Sequence, residues 1–125
     1  MKKLFLIFAL LFTTPSYAEW TKITENVDGN QFYVDFDRIR KHDGYIYFWW
    51  LTDYLKPKLG DLSGSAYIQG DCKLLRYEYL SFSFYKQPMG RGAADVQEPV
   101  KEQQGWKYSS PKSPAEYVLK EVCSR

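Results

Sequence analysis

The side chains that most often carry catalysis are scarce in this sequence. Its 125 residues include one histidine, His42, and two cysteines, Cys72 and Cys123. His42 lies in Lys41-His42-Asp43-Gly44, a pattern typical of an exposed turn, so we interpret it as a solvated turn residue. No serine stands in the G-x-S-x-G elbow of triad hydrolases. The sequence therefore predicts no hydrolysis by a catalytic triad.

Metal ligands are equally few. Asp35-Phe36-Asp37 resembles the start of a calcium loop, but the glycine and the closing glutamate of such a loop are missing. The basic neighbours Arg38, Arg40 and Lys41 indicate salt bridges instead. We expect no metal ion and no cofactor.

Paired acids are a third kind of catalytic site. Asp53, Asp71 and Glu78 could approach one another in a sheet and act as the two carboxylates of a glycoside hydrolase. An ion pair of Glu78 with Arg76 on one strand face is the simpler interpretation. We expect a protein that is not an enzyme, with an uncharacterised hydrolase as the minor alternative.

The first residues indicate export. Met1-Lys2-Lys3 is basic, residues 4–12 are all apolar, and Ser16-Tyr17-Ala18 ends in small residues. This order is typical of a signal peptide over residues 1–18, and the apolar segment is much shorter than the roughly 20 residues that cross a bilayer. Glu19, not cysteine, would begin the mature chain, so we expect no lipid anchor. We also expect no transmembrane segment, and a protein that is periplasmic or secreted.

Charge narrows the choice of partner. The formal net charge is +2, and removal of Lys2 and Lys3 makes the mature chain neutral. A neutral chain has no strong attraction for phosphate backbones, so we expect no nucleic-acid binding.

Export also decides how the cysteines are interpreted. In an oxidising compartment an even number of cysteines favours a disulfide, here between Cys72 and Cys123. Closing so long a loop stabilises a fold by about 4 kcal/mol in the chain-entropy model. The alternative, a nucleophilic or metal-binding cysteine, lacks partners.

Alternation and turn residues predict a sheet. An Asp-Gly turn separates two segments that we predict to form a hairpin, and a third segment, residues 45–55, is aromatic and apolar without Gly or Pro. The predicted strands are residues 20–25, 31–36, 45–55, 65–72, 74–85 and 106–109, with a short helical turn at 37–41 and a loop at 60–64.

The strand at residues 45–55 has no polar face. Tyr45, Tyr47, Trp49 and Leu51 lie on one side, and Ile46, Phe48, Trp50 and Tyr54 lie on the other. Such a strand is either covered on both sides or leaves one side for a partner. In the last long strand, Leu80, Phe82 and Phe84 are predicted to lie opposite Tyr77, Tyr79 and Tyr85.

The clearest helix follows Ser113. Ser113 is a typical N-cap, Pro114 takes the first helical position, and Glu116 completes a capping box. Ala115, Val118, Leu119 and Val122 form one apolar stripe. The predicted fold of residues 19–125 is one α+β domain, an antiparallel sheet of five or six strands with a C-terminal helix packed on one face and tied by the disulfide.

Residues 86–105 contain two prolines and three glycines. A segment of this composition predicts a long exposed loop, and long loops often carry function. Simple flexibility is the alternative interpretation.

A series of landmark residues runs along the mature chain. They are Trp20, Tyr33-Val34-Asp35, Arg38-Ile39-Arg40-Lys41, Trp50-Leu51-Thr52-Asp53-Tyr54 with Lys56-Pro57, Asp71-Cys72-Lys73, Tyr85, Pro88-Met89-Gly90, Gly92, Trp106, Pro111 and Cys123. Their order resembles the surface-adhesin protein E family of Gram-negative bacteria. The resemblance implies an antiparallel sheet with a C-terminal helix fastened by a disulfide, no catalytic residue, and adhesion to host matrix proteins. Glu19 stands where the founding member has a lipidated cysteine.

The functional hypothesis is an exported binding module that recognises a host matrix or envelope protein. The sequence also permits a homodimer. The alternative is a periplasmic protein that binds a small ligand or peptide in an enclosed apolar pocket beneath Val118 and Val122. The candidate partner-binding residues are Tyr45, Tyr47, Trp49, Lys56, Lys58, Met89 and Arg91.

Overall fold

The computed structural model describes residues 19–125, and the predicted signal peptide lies outside them. The described residues form eight strands and one α-helix, with 3₁₀ turns at Phe36–Arg38, Pro88–Gly90 and Lys101–Gln103. The elements are β1 (Thr21–Glu25), β2 (Gln31–Val34), β3 (Arg40–His42), β4 (Tyr45–Lys58), β5 (Asp61–Asp71), β6 (Arg76–Tyr85), β7 (Asp95–Gln97), β8 (Lys107–Tyr108) and α1 (Pro114–Cys123).

All eight strands described belong to one antiparallel sheet. Its main order is β1-β2-β4-β5-β6-β7, while β3 also pairs with β4 and β8 also pairs with β6. The predicted fold class is confirmed. The sequence prediction missed β3 and β7, which have three residues each and pair with only part of a long neighbour.

Helix α1 packs on one face of the sheet. Val118, Leu119 and Val122 are fully buried there, as the apolar stripe predicted. The Oγ of Ser113 accepts a hydrogen bond from the Glu116 backbone N–H at 3.2 Å, which confirms the N-cap. The Glu116 carboxylate accepts instead from the Lys112 N–H, so the predicted capping box is only half formed. The sheet side of this core comprises Val34, Ile46, Phe48, Trp50, Ala66 and Ile68.

The predicted disulfide is confirmed. Cys72 and Cys123 are bonded, with their Cα atoms 5.7 Å apart. The bond joins the turn after β5 to the last turn of α1. The helix is thereby tied covalently to one end of the sheet.

A β-bulge in β6 changes which side chains share a face. Tyr67 pairs with Ser81 but Ile68 pairs with Tyr79, so Leu80 is an extra residue in the ladder. The Tyr79 ring then lies 4.8 Å from the Phe82 ring, on the same face. The prediction that Tyr77 and Tyr79 oppose Phe82 and Phe84 is therefore wrong, because a bulge interrupts strict alternation.

Four predicted elements also differ from the structure. Strand β4 continues through Pro57 to Lys58, and β5 begins at Asp61, so residues 60–64 are mostly strand. Pro57 is tolerated because the β4–β5 ladder is irregular between Asp53 and Lys58. The turn predicted at 37–41 is a 3₁₀ turn followed by β3. The predicted loop at 86–105 contains two 3₁₀ turns and β7.

Gly70 lies where α1 packs tightly against the sheet. A Cβ atom there would be 2.9 Å from Ile46 Cγ2 and 3.0 Å from Leu119 Cδ1. We expect Gly70→Ala to lower the free energy of unfolding by about 1 to 3 kcal/mol through overpacking. Urea denaturation beside Ser65→Ala, a buried control on the same strand that adds no atoms, measures the effect; an unchanged midpoint for Gly70→Ala would contradict this packing.

Candidate functional site

The sheet face opposite α1, here called the open face, carries a row of half-buried aromatic side chains. In β4, Ile46, Phe48 and Trp50 point to the helix, so Tyr47 and Trp49 lie on the open face. The Trp49 ring packs 4.9 Å from the Tyr67 ring, which is 6.3 Å from the Tyr47 ring. One predicted aromatic face of this strand is therefore core, and α1 does not cover the other.

Arg38 extends this row from Trp49 towards Trp20, near the start of the described residues. Its guanidinium carbon lies 5.8 Å from the centre of the Trp20 ring and 5.6 Å from that of Trp49, within cation–π range of both. The Arg38 Nε donates to the carboxylate of Asp35 at 2.7 Å, and Asp35 is 2% exposed. Asp35 also accepts from the Asp37 N–H, which caps the 3₁₀ turn. This turn fixes the guanidinium in place.

Two polar contacts fix the opposite end of the row. Arg40 Nη2 donates to the Tyr67 hydroxyl at 3.1 Å, and Gln69 Nε2 donates to the Tyr47 hydroxyl at 3.1 Å. Both rings therefore hold defined orientations. A rigid aromatic surface binds a partner with little loss of side-chain entropy.

A turn at residues 87–92 lies beside the aromatic row. The row and this turn form the two walls of a groove. Buried Ser63 donates to the Gln87 carbonyl at 2.6 Å and accepts from the Gly90 N–H at 2.9 Å. Asp53 accepts from the Met89 N–H at 2.8 Å. A Cβ at Gly90 would lie 3.2 Å from Leu51 Cδ1, so this turn packs onto the open face and buries Leu51.

Between the two walls lies a groove of about 850 Å³. Both charged residues that line it are arginines, and no carboxylate side chain lines it. Arg91 is exposed, and within residues 19–125 no salt bridge involves it. The groove is lined by Trp20, Arg38, Trp49, Ser65, Tyr85, Gln87, Met89, Gly90, Arg91 and Gly92.

The predicted partner-binding residues fall into separate regions. Trp49, Met89 and Arg91 line the groove. Tyr47 lies further along the row, and Tyr45 packs against Trp106 at 5.4 Å. Lys56 and Lys58 lie at the β4–β5 hairpin and do not line the groove.

Sequence reasoning missed several groove residues. Trp20 served only as a family landmark. Arg38 served as a landmark and as a salt-bridging neighbour of Asp35-Phe36-Asp37, and Tyr85 as a landmark and a strand residue. The available signal was the Asp-x-x-Arg spacing after β2, which places a carboxylate and a guanidinium on one turn. That spacing does not indicate which aromatic rings the arginine meets.

The three acids considered for glycoside hydrolysis do not all converge. Asp53 pairs with Ser63 and Asp71 ends β5, so they are about 26 Å apart along the strand. Arg76 pairs with Asp71 at 2.9 Å, not with Glu78 as predicted. His42 is exposed and contacts Asp43. Within residues 19–125 no three His, Cys, Asp or Glu residues form a possible metal site.

The Asp71–Arg76 pair makes stability depend on pH. The hydrogen bond from Arg76 holds the pKa of Asp71 below its ordinary value of 3.8. A lowered folded-state pKa stabilises the fold above the unfolded-state value, and this stabilisation is lost as the pH falls through the folded-state value. We expect urea midpoints of Asp71→Asn to fall less than those of the wild type between about pH 5 and about pH 2. If the urea midpoints of the two proteins fall by the same amount over this pH range, the assignment is contradicted.

A second cleft, of about 340 Å³, lies beside the start of α1. Its walls include Trp50, Tyr77, Tyr79 and Val118. Burial raises the pKa of the Tyr79 hydroxyl. Val122 lies wholly within the core, so the helix–sheet contact beneath it is filled. The cleft therefore opens at the side of the helix, whereas the alternative ligand-binding hypothesis predicted an enclosed pocket beneath Val118 and Val122.

Fold and groove together define a small disulfide-tied α+β domain with an aromatic groove on one sheet face. Within residues 19–125 no helix is long and apolar enough to cross a membrane. The chain belongs to the surface-adhesin protein E family, whose model matches residues 20–124. The resemblance predicted from the landmarks is confirmed, and membership makes this an adhesin-type protein.

Solved structures of protein E from Haemophilus influenzae share the fold. Crystal form II is 17% identical, with a TM-score of 0.65 over 89% of this chain and 91% of that chain. Protein E from a non-typeable strain is 17% identical, with a TM-score of 0.59 over 89% of this chain and 79% of that chain. Among curated protein sequences, none matches this chain significantly. Identities this low establish the fold alone.

Proposed function

We propose that this protein is an exported, non-enzymatic binding module that attaches to a protein partner through the groove. The observation that carries the proposal is a groove of about 850 Å³ with tryptophan, tyrosine, methionine and arginine side chains on its walls. These residue types are enriched at the centres of protein interfaces. Membership of a surface-adhesin family supports the same conclusion.

Preorganisation supports protein binding further. The Arg38 guanidinium is held by Asp35 and by two indole rings, and the Met89 backbone is held by Asp53. Binding to fixed groups loses less entropy than binding to mobile ones. The uncompensated charge of Arg91 favours a partner whose contacting segment is acidic.

The described residues also support a non-enzymatic role. Two of the three carboxylates considered for catalysis have a structural task, Asp53 on Met89 and Asp71 on Arg76. The one histidine is solvated at a strand end. Function then depends on contact area and charge, not on a reacting group.

A capture experiment tests the proposal. Immobilised residues 19–125 with the disulfide intact are exposed to purified host matrix proteins and to envelope extracts. The affinity of each bound protein is then measured individually. We expect at least one partner whose affinity falls with Arg91→Glu but not with Lys112→Glu, an exposed control outside the groove. A partner that binds both variants equally would refute the groove as the contact. Fractionation of intact cells separates periplasmic from secreted protein.

A second candidate function is suggested by the cleft beside α1. Three tyrosine rings and Trp50 line it, together with two serines. A small ligand or a peptide side chain could be held there in a periplasmic protein. This alternative predicts ligand binding that Tyr79→Ala abolishes and Arg91→Glu leaves unchanged, measured by tryptophan fluorescence.

A further inference from the structure

Two hairpin tips lie side by side at the end of the sheet remote from the disulfide. Leu55 donates its N–H to the Asn30 side chain at 3.0 Å, and a Cβ at Gly29 would lie 2.7 Å from Leu55 Cδ2. The β1–β2 turn and the β4–β5 turn are therefore in direct contact. We call residues 26–30 and 55–60 together the tip pair.

The tip pair exposes large apolar side chains. Leu59 is 94% exposed, Val27 is fully exposed, and Leu55 is 65% exposed. Single exposed apolar residues are ordinary on a protein surface. Here three of them lie on two turns that touch at Gly29 and Leu55, and we call these three side chains the apolar projection.

The backbone at Leu59 makes this residue type unexpected. Leu59 has a φ of 53° and Gly60 a φ of 85°, so both central residues of the turn are in the left-handed region. Such two-residue turns favour asparagine, aspartate or glycine at the first position. A leucine there is disfavoured by its conformation and gains nothing from packing, because it is almost fully exposed. Strain of this kind points to a functional role.

Positive charge flanks the apolar projection. Lys56 and Lys58 are exposed, and within residues 19–125 neither forms a salt bridge. Lys58 Nζ lies 5.9 Å from the Tyr54 ring. Lys86 is already paired with Asp61, and Asp28 is the exposed acid on the neighbouring turn. Two lysines thus remain available on the β4–β5 turn.

We propose that the tip pair docks on the surface of an anionic phospholipid bilayer, with Leu59 entering the acyl boundary and Lys56 and Lys58 meeting lipid phosphates. Lysine is depleted at protein interfaces, whereas lysine beside leucine is typical of membrane-surface contacts. The groove has the composition of a protein interface, and the tip pair does not. The inference is independent of the proposed function, since it uses different residues.

Vesicle flotation tests the proposal. Residues 19–125 are mixed with vesicles of phosphatidylcholine alone, or of phosphatidylcholine and phosphatidylglycerol in equal amounts. We expect flotation with the anionic vesicles only, and loss of flotation in high salt. Wild-type protein that floats with neither kind of vesicle would overturn the proposal.

Two variants locate the contact. Lys56→Ala with Lys58→Ala should weaken vesicle binding about 30-fold, since each lysine near an anionic surface contributes a factor of about five. Leu59→Asn should weaken it at least about tenfold through lost apolar insertion. The same substitution should raise the melting temperature, because asparagine suits the left-handed backbone. Reduced binding therefore cannot be attributed to unfolding.

Matched controls complete the test. Lys73→Ala with Lys101→Ala removes two exposed lysines elsewhere, and Leu74→Asn removes an exposed leucine from another turn. Both should bind vesicles as the wild type does. If the control variants lose as much vesicle binding as the tip variants, the proposal is overturned. So would tip variants that retain vesicle binding but lose a protein partner, since the tip pair would then be a protein contact.

Discussion

Removing the disulfide with Cys72→Ala and Cys123→Ala should lower the free energy of unfolding by about 4 kcal/mol. The two cysteines are 51 positions apart, so the bond restricts a large part of the unfolded chain. It also ties α1 to the end of β5, and three α1 residues complete the core. Because a domain of this size has roughly 5 to 15 kcal/mol in total, the variant should be marginally stable.

Urea denaturation of the variant and of the oxidised wild type measures this change. Reduced wild type should match the double variant, which separates the bond from the loss of the two sulfur atoms. Equal midpoints for the oxidised and reduced wild type would mean that packing of Val118, Leu119 and Val122 alone holds the helix in place.

Truncating Trp49 should have the largest effect on partner binding. Its indole contacts Arg38 on one side and Tyr67 on the other, so it lies at the centre of the aromatic row. Central tryptophans of protein interfaces commonly contribute 2 kcal/mol or more, which corresponds to about 30-fold in affinity. We expect Trp49→Ala to weaken binding of the captured partner by at least about 30-fold, and Trp49→Phe to weaken it less.

The matched control for this prediction is Tyr117→Ala. Tyr117 is an exposed aromatic residue of α1, on the side of the sheet opposite the groove. It should leave affinity unchanged in surface plasmon resonance. Circular dichroism must show native spectra for all variants, and equal affinities for Trp49→Ala and Tyr117→Ala would contradict a contact on the open face.

Local sequence patterns were sufficient to predict the elements whose own residues indicate a helix or a strand. Ser113, Pro114 and the apolar stripe predicted α1, and the unbroken aromatic run predicted β4. The even cysteine count in an exported chain predicted the disulfide. These features depend on neighbouring residues or on compartment, both of which the sequence contains.

The sequence did not show which face of β4 meets the helix. Phe48 and Trp50 on one face are as apolar as Trp49 and Tyr47 on the other, so alternation gives no direction. The usable signal lies on β5. Gly64, Ala66 and Gly70 are small and share the face where α1 and other large side chains come close.

The groove could not be predicted for a different reason. Its walls come from residue 20, from the 3₁₀ turn after β2, and from the turn after β6. Only the long-range strand register brings these segments together. The bulge at Leu80 was equally hidden, because no local pattern distinguishes an extra strand residue from a regular one.

The sheet described above ends in short, interrupted strands on both sides. At one edge β1 has five residues and an irregularity between Lys22 and Thr24, and at the other β7 has three residues and β8 two. Short or bulged outer strands are poor templates for another chain. The half-buried aromatic rings of the open face therefore lie in a sheet whose edges disfavour amyloid-like stacking with another copy of the chain.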